Sequence, residues 1–205
     1  MAKIKLTKGE LKRQRDSLKQ YRHYLPTLLL KKQQFQMKIL EARKLLADRQ
    51  GVLNKKNQEI GRWVGLLADR SVDIRAWVKP QNVFVKMVNV AGANVPVFDD
   101  IFFPPAEYDL YATPFWLDRA LEEFRLMVTL LAEITVIQKG IAVLEQELRI
   151  TTQRVNLFEK VKIPESQENI RRICIYLGDQ QANAVGVSKV AKKKIEAREL
   201  EMAFV

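Results

Sequence analysis

LKRQRDSLKQYRHYLPTLLLKKQQFQMKILEARKLLADRQGVLNKKNQEIGRWVGLL, residues 11–67, is the stretch that decides the fold. Leu11, Leu18, Leu25, Ile39, Leu46, Leu53, Ile60 and Leu67 recur with a seven-residue period, and only Lys32 breaks the series. A second, patchier stripe runs three residues later through Tyr21, Leu28, Phe35, Ala42 and Trp63. Apolar residues at both spacings form the seam of a coiled coil, because a repeat of about 3.5 residues keeps one edge of a helix facing a partner. A helix this long buries almost nothing against itself, so it requires another long helix alongside. The expected shape is a rod.

The partner is in the same chain. From Ile134 the apolar positions Ile137, Ile141, Leu144, Leu148, Thr151, Val155 and Phe158 alternate by three and four, and Leu117, Leu121, Phe124, Val128 and Leu131 do the same earlier. Leu131, Ile134 and Ile137 are spaced three and three, which reads as a stammer near Ile134 that overwinds the coil. A weaker set follows at Ile170, Ile173, Leu177, Gln180, Ala184, Val187 and Ala191. The pattern predicts a mainly α chain: a long antiparallel two-helix coiled coil made by an N-terminal arm (residues 1–68) and a C-terminal arm (113–205), flanking a central region (69–112) with a small β-hairpin.

Local signals refine the arms. Thr7 with Glu10 reads as a capping box flanked by Leu6 and Leu11 at the staple positions. Pro26 predicts a kink near Tyr24 and Leu25, or a helix regular only beyond it. In the middle, Val83 to Val90 and Val95 to Phe98 read as strands around the turn cluster Ala91-Gly92-Ala93-Asn94, and Pro96 marks an edge strand. Thr113 is expected to cap the second helix, with Pro114 at its first position and Asp118 near the positive end of its dipole. Lys162-Ile163-Pro164 should kink or interrupt that helix. The second arm is the longer, so its last thirty or so residues should project as a nearly single helix, which needs a partner from outside.

Composition excludes several classes. With 205 residues, 47% hydrophobic and 29% charged, the chain is not disordered. No unbroken apolar run approaches the roughly 18 residues of a membrane span, and the lysines near the start interrupt any signal peptide. Cys174 is the single cysteine, which excludes an intrachain disulfide and a cysteine-built metal site and points to the cytosol. The net charge of +11 is uneven: residues 1–22 hold eight Lys or Arg against Glu10 and Asp16, and residues 171–198 hold seven against Asp179 and Glu196. An antiparallel hairpin brings both basic segments to one end.

No enzyme chemistry is legible. Phosphate-loop and dinucleotide glycine motifs are missing. His23 is the only histidine and reads as a solvated or interface helix residue, Asp99-Asp100 as a polar loop end, and Cys174 as a small apolar helix residue without a base. No cofactor or metal is expected. The basic run Lys189 to Arg198 has two functional readings beside that of a solvated face: nucleic-acid phosphates or a protein sleeve. Trp63, Trp77 and Trp116 lie at the far end from it, so no stacking platform for bases accompanies the charge.

Specific segments carry a resemblance. Thr151-Thr152-Gln153-Arg154-Val155-Asn156-Leu157-Phe158-Glu159 with Ile163-Pro164 resembles a signature of the D subunit of the V-type and A-type ATPases. Lys193-Lys194-Ile195-Glu196-Ala197-Arg198-Glu199 resembles that family's C-terminal segment, Tyr24-Leu25-Pro26-Thr27-Leu28 its N-terminal helix, and Val88-Asn89-Val90 through Val95-Pro96 its central hairpin. Gln153 and Leu157-Phe158 depart from the common pattern. The resemblance implies a non-catalytic rotor shaft. Its arms enter a hexamer of catalytic A and regulatory B subunits, the F subunit binds its side, and the funnel-shaped C/d subunit joins it to the proton- or sodium-carrying membrane ring. It thus implies a cytoplasmic, peripheral component with no membrane insertion of its own and no nucleic acid. Lys8, Arg13, Arg15, Lys192, Lys193, Lys194 and Arg198 are the expected contacts to the hexamer, and the hairpin residues Gly92, Asn94 and Pro96 are expected to affect coupling. A basic coiled-coil nucleic-acid-binding protein is the alternative, and a passive coiled-coil spacer a third reading.

Overall fold

The computed structural model describes residues 4–63, 65, 74–109, 111 and 113–203, with side chains through residue 199. The elements in order are α1 (Lys8–Gly61), the short α2 (Arg75–Val78), β1 (Asn82–Val90), β2 (Ala93–Phe102), α3 (Leu117–Leu157), a π-helical segment (Phe158–Lys162) and α4 (Ile163–Ala203). The N-terminal helix is paired with the long C-terminal one, and a two-stranded antiparallel sheet lies between them in sequence. Leu67, the last member of the opening stripe, lies outside the described residues.

Half of the expected capping box forms. The Glu10 N–H donates to Thr7 Oγ1 at 3.3 Å, but the Glu10 carboxylate accepts from Gln14 Nε2 at 2.8 Å instead of reaching back. The helix runs unbroken through Pro26, so it is not confined to residues beyond the proline. Pro26 and its neighbours Tyr24 and Thr27 are exposed, so water can serve the carbonyl that proline's missing N–H leaves unpaired. Thr113 is not the cap of α3. Its hydroxyl donates back to the Asp109 carbonyl at 2.8 Å, closing a turn, and the helix begins three residues after Pro114, at Leu117.

Packing divides the chain into two units, Leu30–Thr152 and Met1–Leu29 with Gln153–Val205. In the first, Phe35, Ile39 and Ile60 of α1 are buried with Leu117, Leu121, Leu130, Ile134, Ile141 and Leu144 of α3. The gaps in the patchy α1 stripe are Arg49 and Lys56. Each faces a carboxylate of α3: Arg49 Nε lies 3.0 Å from Glu133 Oε1, and Lys56 Nζ 3.1 Å from Glu123 Oε2. The Arg49 N–H is buried and does not point at that oxygen, so this contact is an ion pair without a hydrogen bond. With Arg43 Nη2 2.6 Å from Glu145 Oε1, these pairs fix the antiparallel register. Lys56 is held above the ordinary lysine pKa by its hydrogen bonds to Glu123 first and Glu59 second.

The stammer is displaced from its expected place. Leu131 is 45% exposed while Leu130 is 6% exposed. From Leu130 through Ile134, Ile137, Ile141, Leu144, Leu148, Thr151 and Val155 the steps alternate regularly by four and three, so the irregularity lies between Phe124 and Leu130. α3 also has a second buried face. Val136 and Gly140 are also buried, because α3 packs on the hairpin as well as on α1. The apolar content this requires is high. The helical run Leu117–Glu199 contains an 18-residue window of mean hydropathy 1.7, long and apolar enough by composition to cross a bilayer once two charges are allowed, a property that an unbroken apolar run alone would not reveal.

In the second unit Tyr21 packs on Phe158 with ring centroids 5.2 Å apart, and Val155 and Ile173 are buried. The buried set also includes Ser166 and Asn169, which line a groove with Glu10, Arg13, Gln14 and Ser17. Pro164 cannot donate to the preceding turn, and the chain answers with the π-helical turn at Phe158–Lys162 just before it. From Gly178 to Glu199 every residue is exposed, including Gln180, Ala184, Val187 and Ala191 of the weak stripe. Cys174 lies in this helix and is exposed, and Ile173 takes the buried position next to it.

Candidate functional site

The first candidate surface is the hairpin. Its turn has two residues, Ala91 and Gly92, at φ +50° and +87°, and Val90 pairs with Ala93. Positive φ at both central positions is the arrangement whose twist matches that of the strands. Asn94 therefore belongs to β2 and not to the turn. Asn89 holds the turn from below: its Oδ1 accepts the Gly92 N–H at 2.9 Å, and its Nδ2 donates to Asn94 Oδ1 at 3.3 Å. Pro96 lies opposite Met87, tolerated because both strands of a two-stranded sheet are edges. Asp99-Asp100 is strand, not a loop end: Phe84 pairs with Asp100 and Val85 with Phe98, leaving Asp99 as the bulged residue.

Gly92, Asn94 and Pro96 are thus gathered into one small end of the hairpin. Ala93 and Val95 behind them are buried on Phe35, Ile39 and Leu144. Gly140 of α3 was not singled out from the sequence, yet a Cβ there would meet Val95 Cγ1 at 3.1 Å and the Pro96 carbonyl oxygen at 3.3 Å. A glycine inside a helix pattern is the signal that marks such an approach. The other strand is open: every residue of β1 before Val90 is exposed, including Val83, Phe84, Val85 and Met87.

The second candidate surface is basic. Lys8 opens α1 and is exposed, as are Arg13 and Arg15, whose Nη2 lies 3.9 Å from Cys174 Sγ. Lys192, Lys193, Lys194 and Arg198 all lie on the exposed end of α4, where Lys192 Nζ is 3.7 Å from Glu196 Oε1. Both groups belong to one unit but do not form one cluster. With Arg15 beside Cys174, Lys192 lies about 27 Å further along α4 and Lys8 only about 10 Å further along α1, at roughly 1.5 Å per residue. The longer second arm staggers them. Among the described residues no group of three or more His, Cys, Asp or Glu could hold a metal ion.

Comparison with known proteins decides what carries these surfaces. The family model for the ATP synthase D subunit matches residues 10–193. The chain belongs to the ATP synthase D-subunit family. It is similar to the V-type ATP synthase D subunit of Borreliella burgdorferi, 41% identical over 95% of this chain and 96% of that protein. The V-type ATP synthase D subunit of Chlamydia pneumoniae is 33% identical over 95% and 94%, and that of Chlamydia trachomatis 32% over 95% and 97%. For this member of the D-subunit family, the match takes in both helical arms and the whole hairpin, and with them Arg13, Arg15, Lys192 and Lys193. Lys8, Lys194 and Arg198 lie beyond it.

Proposed function

We propose that this chain is the central-stalk rotor of a V/A-type rotary ATPase, carrying torque between the A/B hexamer and an ion-translocating membrane ring. The observation that carries the reading is the family match through residues 10–193, which includes both arms and the hairpin. The physical chemistry supports it. A shaft needs paired helices with few breaks, and α1 is continuous over 54 residues. It needs unequal sides, and the hairpin laid on one face of the Leu30–Thr152 unit supports that. It works as a non-catalytic, peripheral component on the cytoplasmic side, with the F subunit against its flank and the C/d subunit between it and the ring.

Among the described residues, 178–199 of α4 are all exposed with no internal partner, and such a helix gains stability from an external surface. In this reading Lys192, Lys193, Lys194 and Arg198, with Lys8, Arg13 and Arg15 below them, face the inside of the hexamer. Solvated charges on long stems attract over about 8–10 Å at physiological salt without locking into one geometry, which suits a turning contact. The hairpin end at Gly92, Asn94 and Pro96 affects coupling.

The test is co-purification with A and B subunits at moderate salt, with ATP turnover as the second readout. Incorporation of one chain per three A and three B subunits, with altered turnover, is the expected result. Retention on nucleic acid with no incorporation overturns the reading. Deleting Ala91 to Asn94 should change turnover of the assembled complex, and unchanged turnover removes the hairpin from the coupling mechanism.

A further inference from the structure

The β1–β2 hairpin has little of its own to hold it in place. Two strands alone are marginal in water, and β1 is exposed almost throughout. Its turn end is seated by Val95 and Pro96 over Gly140, and at its other end a side chain of α3 reaches the segments that flank both strands. Arg125 of α3, half-buried, donates from Nε to the Trp77 carbonyl at 3.2 Å and from Nη2 to the Pro104 carbonyl at 2.6 Å. Those carbonyls lie just before β1 and just after β2. The guanidinium also lies 5.4 Å from the Phe103 ring centroid. From Arg125 to Gly140 the helix rises about 22 Å, and from Phe103 to Val95 a strand covers about 26 Å. The hairpin therefore lies along α3 with an anchor at each end.

We propose that Arg125 is a positioning residue that clamps both feet of the hairpin to α3, so that hairpin and helix move as one body. The planar guanidinium matters because it reaches two divergent carbonyls at once, which a lysine ammonium on a flexible stem does with neither the geometry nor the ring contact. Strap and seat have separate roles: Gly140 sets how close the turn end comes, and Arg125 sets whether the feet can leave. That the hairpin matters to turnover rests on the shaft reading; that Arg125 holds it does not.

The experiment is hydrogen exchange on the full-length chain carrying Arg125→Met, with Arg125→Lys beside it. Losing charge-assisted bonds to two carbonyls should speed exchange of the hairpin amides of residues 82–102 by about tenfold or more in the Met variant, and by less in the Lys variant. Exchange in α4 over residues 163–173 should stay at the parent rate, which a general loss of stability would not allow. Hairpin exchange unchanged in both variants, or raised equally in α4, overturns the proposal. If the Met variant does not fold, the Lys variant decides by the same two rates. Assembled with A and B subunits, Arg125→Met should shift ATP turnover in the same direction as deletion of Ala91 to Asn94. A deletion that changes turnover beside an Arg125→Met that does not overturns the clamp's role. If neither changes turnover, the coupling reading of the hairpin falls, and the exchange rates still judge the clamp.

Discussion

Between Leu30 and Thr152 the helices share their core with a third element, whereas among the described residues of the unit of Met1–Leu29 with Gln153–Val205 the long helices are α1 and α4 and no strand joins them. The consequence shows in what each buries. The first unit buries Phe35 completely, under Ala93 and Val95 of the hairpin and Leu144 of α3, and places three interhelical ion pairs along its seam. The second buries Val155 and Ile173 beside Ser166 and Asn169, and from Gly178 to Glu199 every residue is exposed. A two-helix seam gives each residue one neighbouring surface, while a hairpin laid across two helices encloses the residues between them. The first unit is built to be internally fixed, the second to present surface.

The largest effect should come from Phe35→Ala, which removes a fully buried ring from the three-element core. Thermal and denaturant unfolding should report a loss of about 3–5 kcal/mol. The same truncation logic at Ile173→Ala, in the second unit, should cost about 2–3 kcal/mol, because an open two-helix seam can close over the gap more readily. Equal losses would erase the contrast between the units.

Next in size is Gly140→Ala. A methyl there gains about 1 kcal/mol of helix propensity but presses on the Pro96 carbonyl, which is backbone and yields poorly, at a cost of about 1–3 kcal/mol. A net loss of about 1 kcal/mol is expected, with faster exchange confined to the hairpin. A net gain would show that the hairpin is loosely seated. Ala91→Gly should act oppositely, stabilising by about 0.5–1 kcal/mol, since alanine at φ +50° is strained and glycine is not.

The smallest effect belongs to the second unit. Glu168 has its carboxyl pKa lowered from 4.5 to about 2 by hydrogen bonds from Arg171 first and Arg172 second. A lowered pKa means the contribution is present above pH 4.5 and fades as pH falls toward 2. Parent and Glu168→Gln melting curves should therefore differ slightly at neutral pH and converge between pH 4.5 and 2. The side chains are solvent-exposed, so added salt should shrink the difference.

The seven-residue stripe from Leu11 to Ile60 and the alternation from Ile134 to Phe158 were legible because a helix repeats its faces at a fixed period, which the order of residues alone reveals. The β-branched runs on either side of Gly92 announced the hairpin for the same reason, and Pro164 announced the interruption that became a π-turn. Thr113 misled because a threonine hydroxyl can serve a turn carbonyl as well as a helix start, and Asp109 supplied one.

What the sequence determined by itself is the period: which residues share a face, where helices start and stop within a few positions, and that one end of each arm is basic. Tertiary structure alone decided which faces meet. Arg49 and Lys56 look like defects in a stripe until Glu133 and Glu123 lie across from them. Leu130 and not Leu131 is the buried leucine of α3, although the order of residues alone put Leu131 on the stripe. Arg125 and Gly140 acquire roles from carbonyls and a valine far from them in the chain. Periodicity is a local property of the backbone, whereas phase and register are set by contacts between distant segments, and those become visible only once the segments are packed.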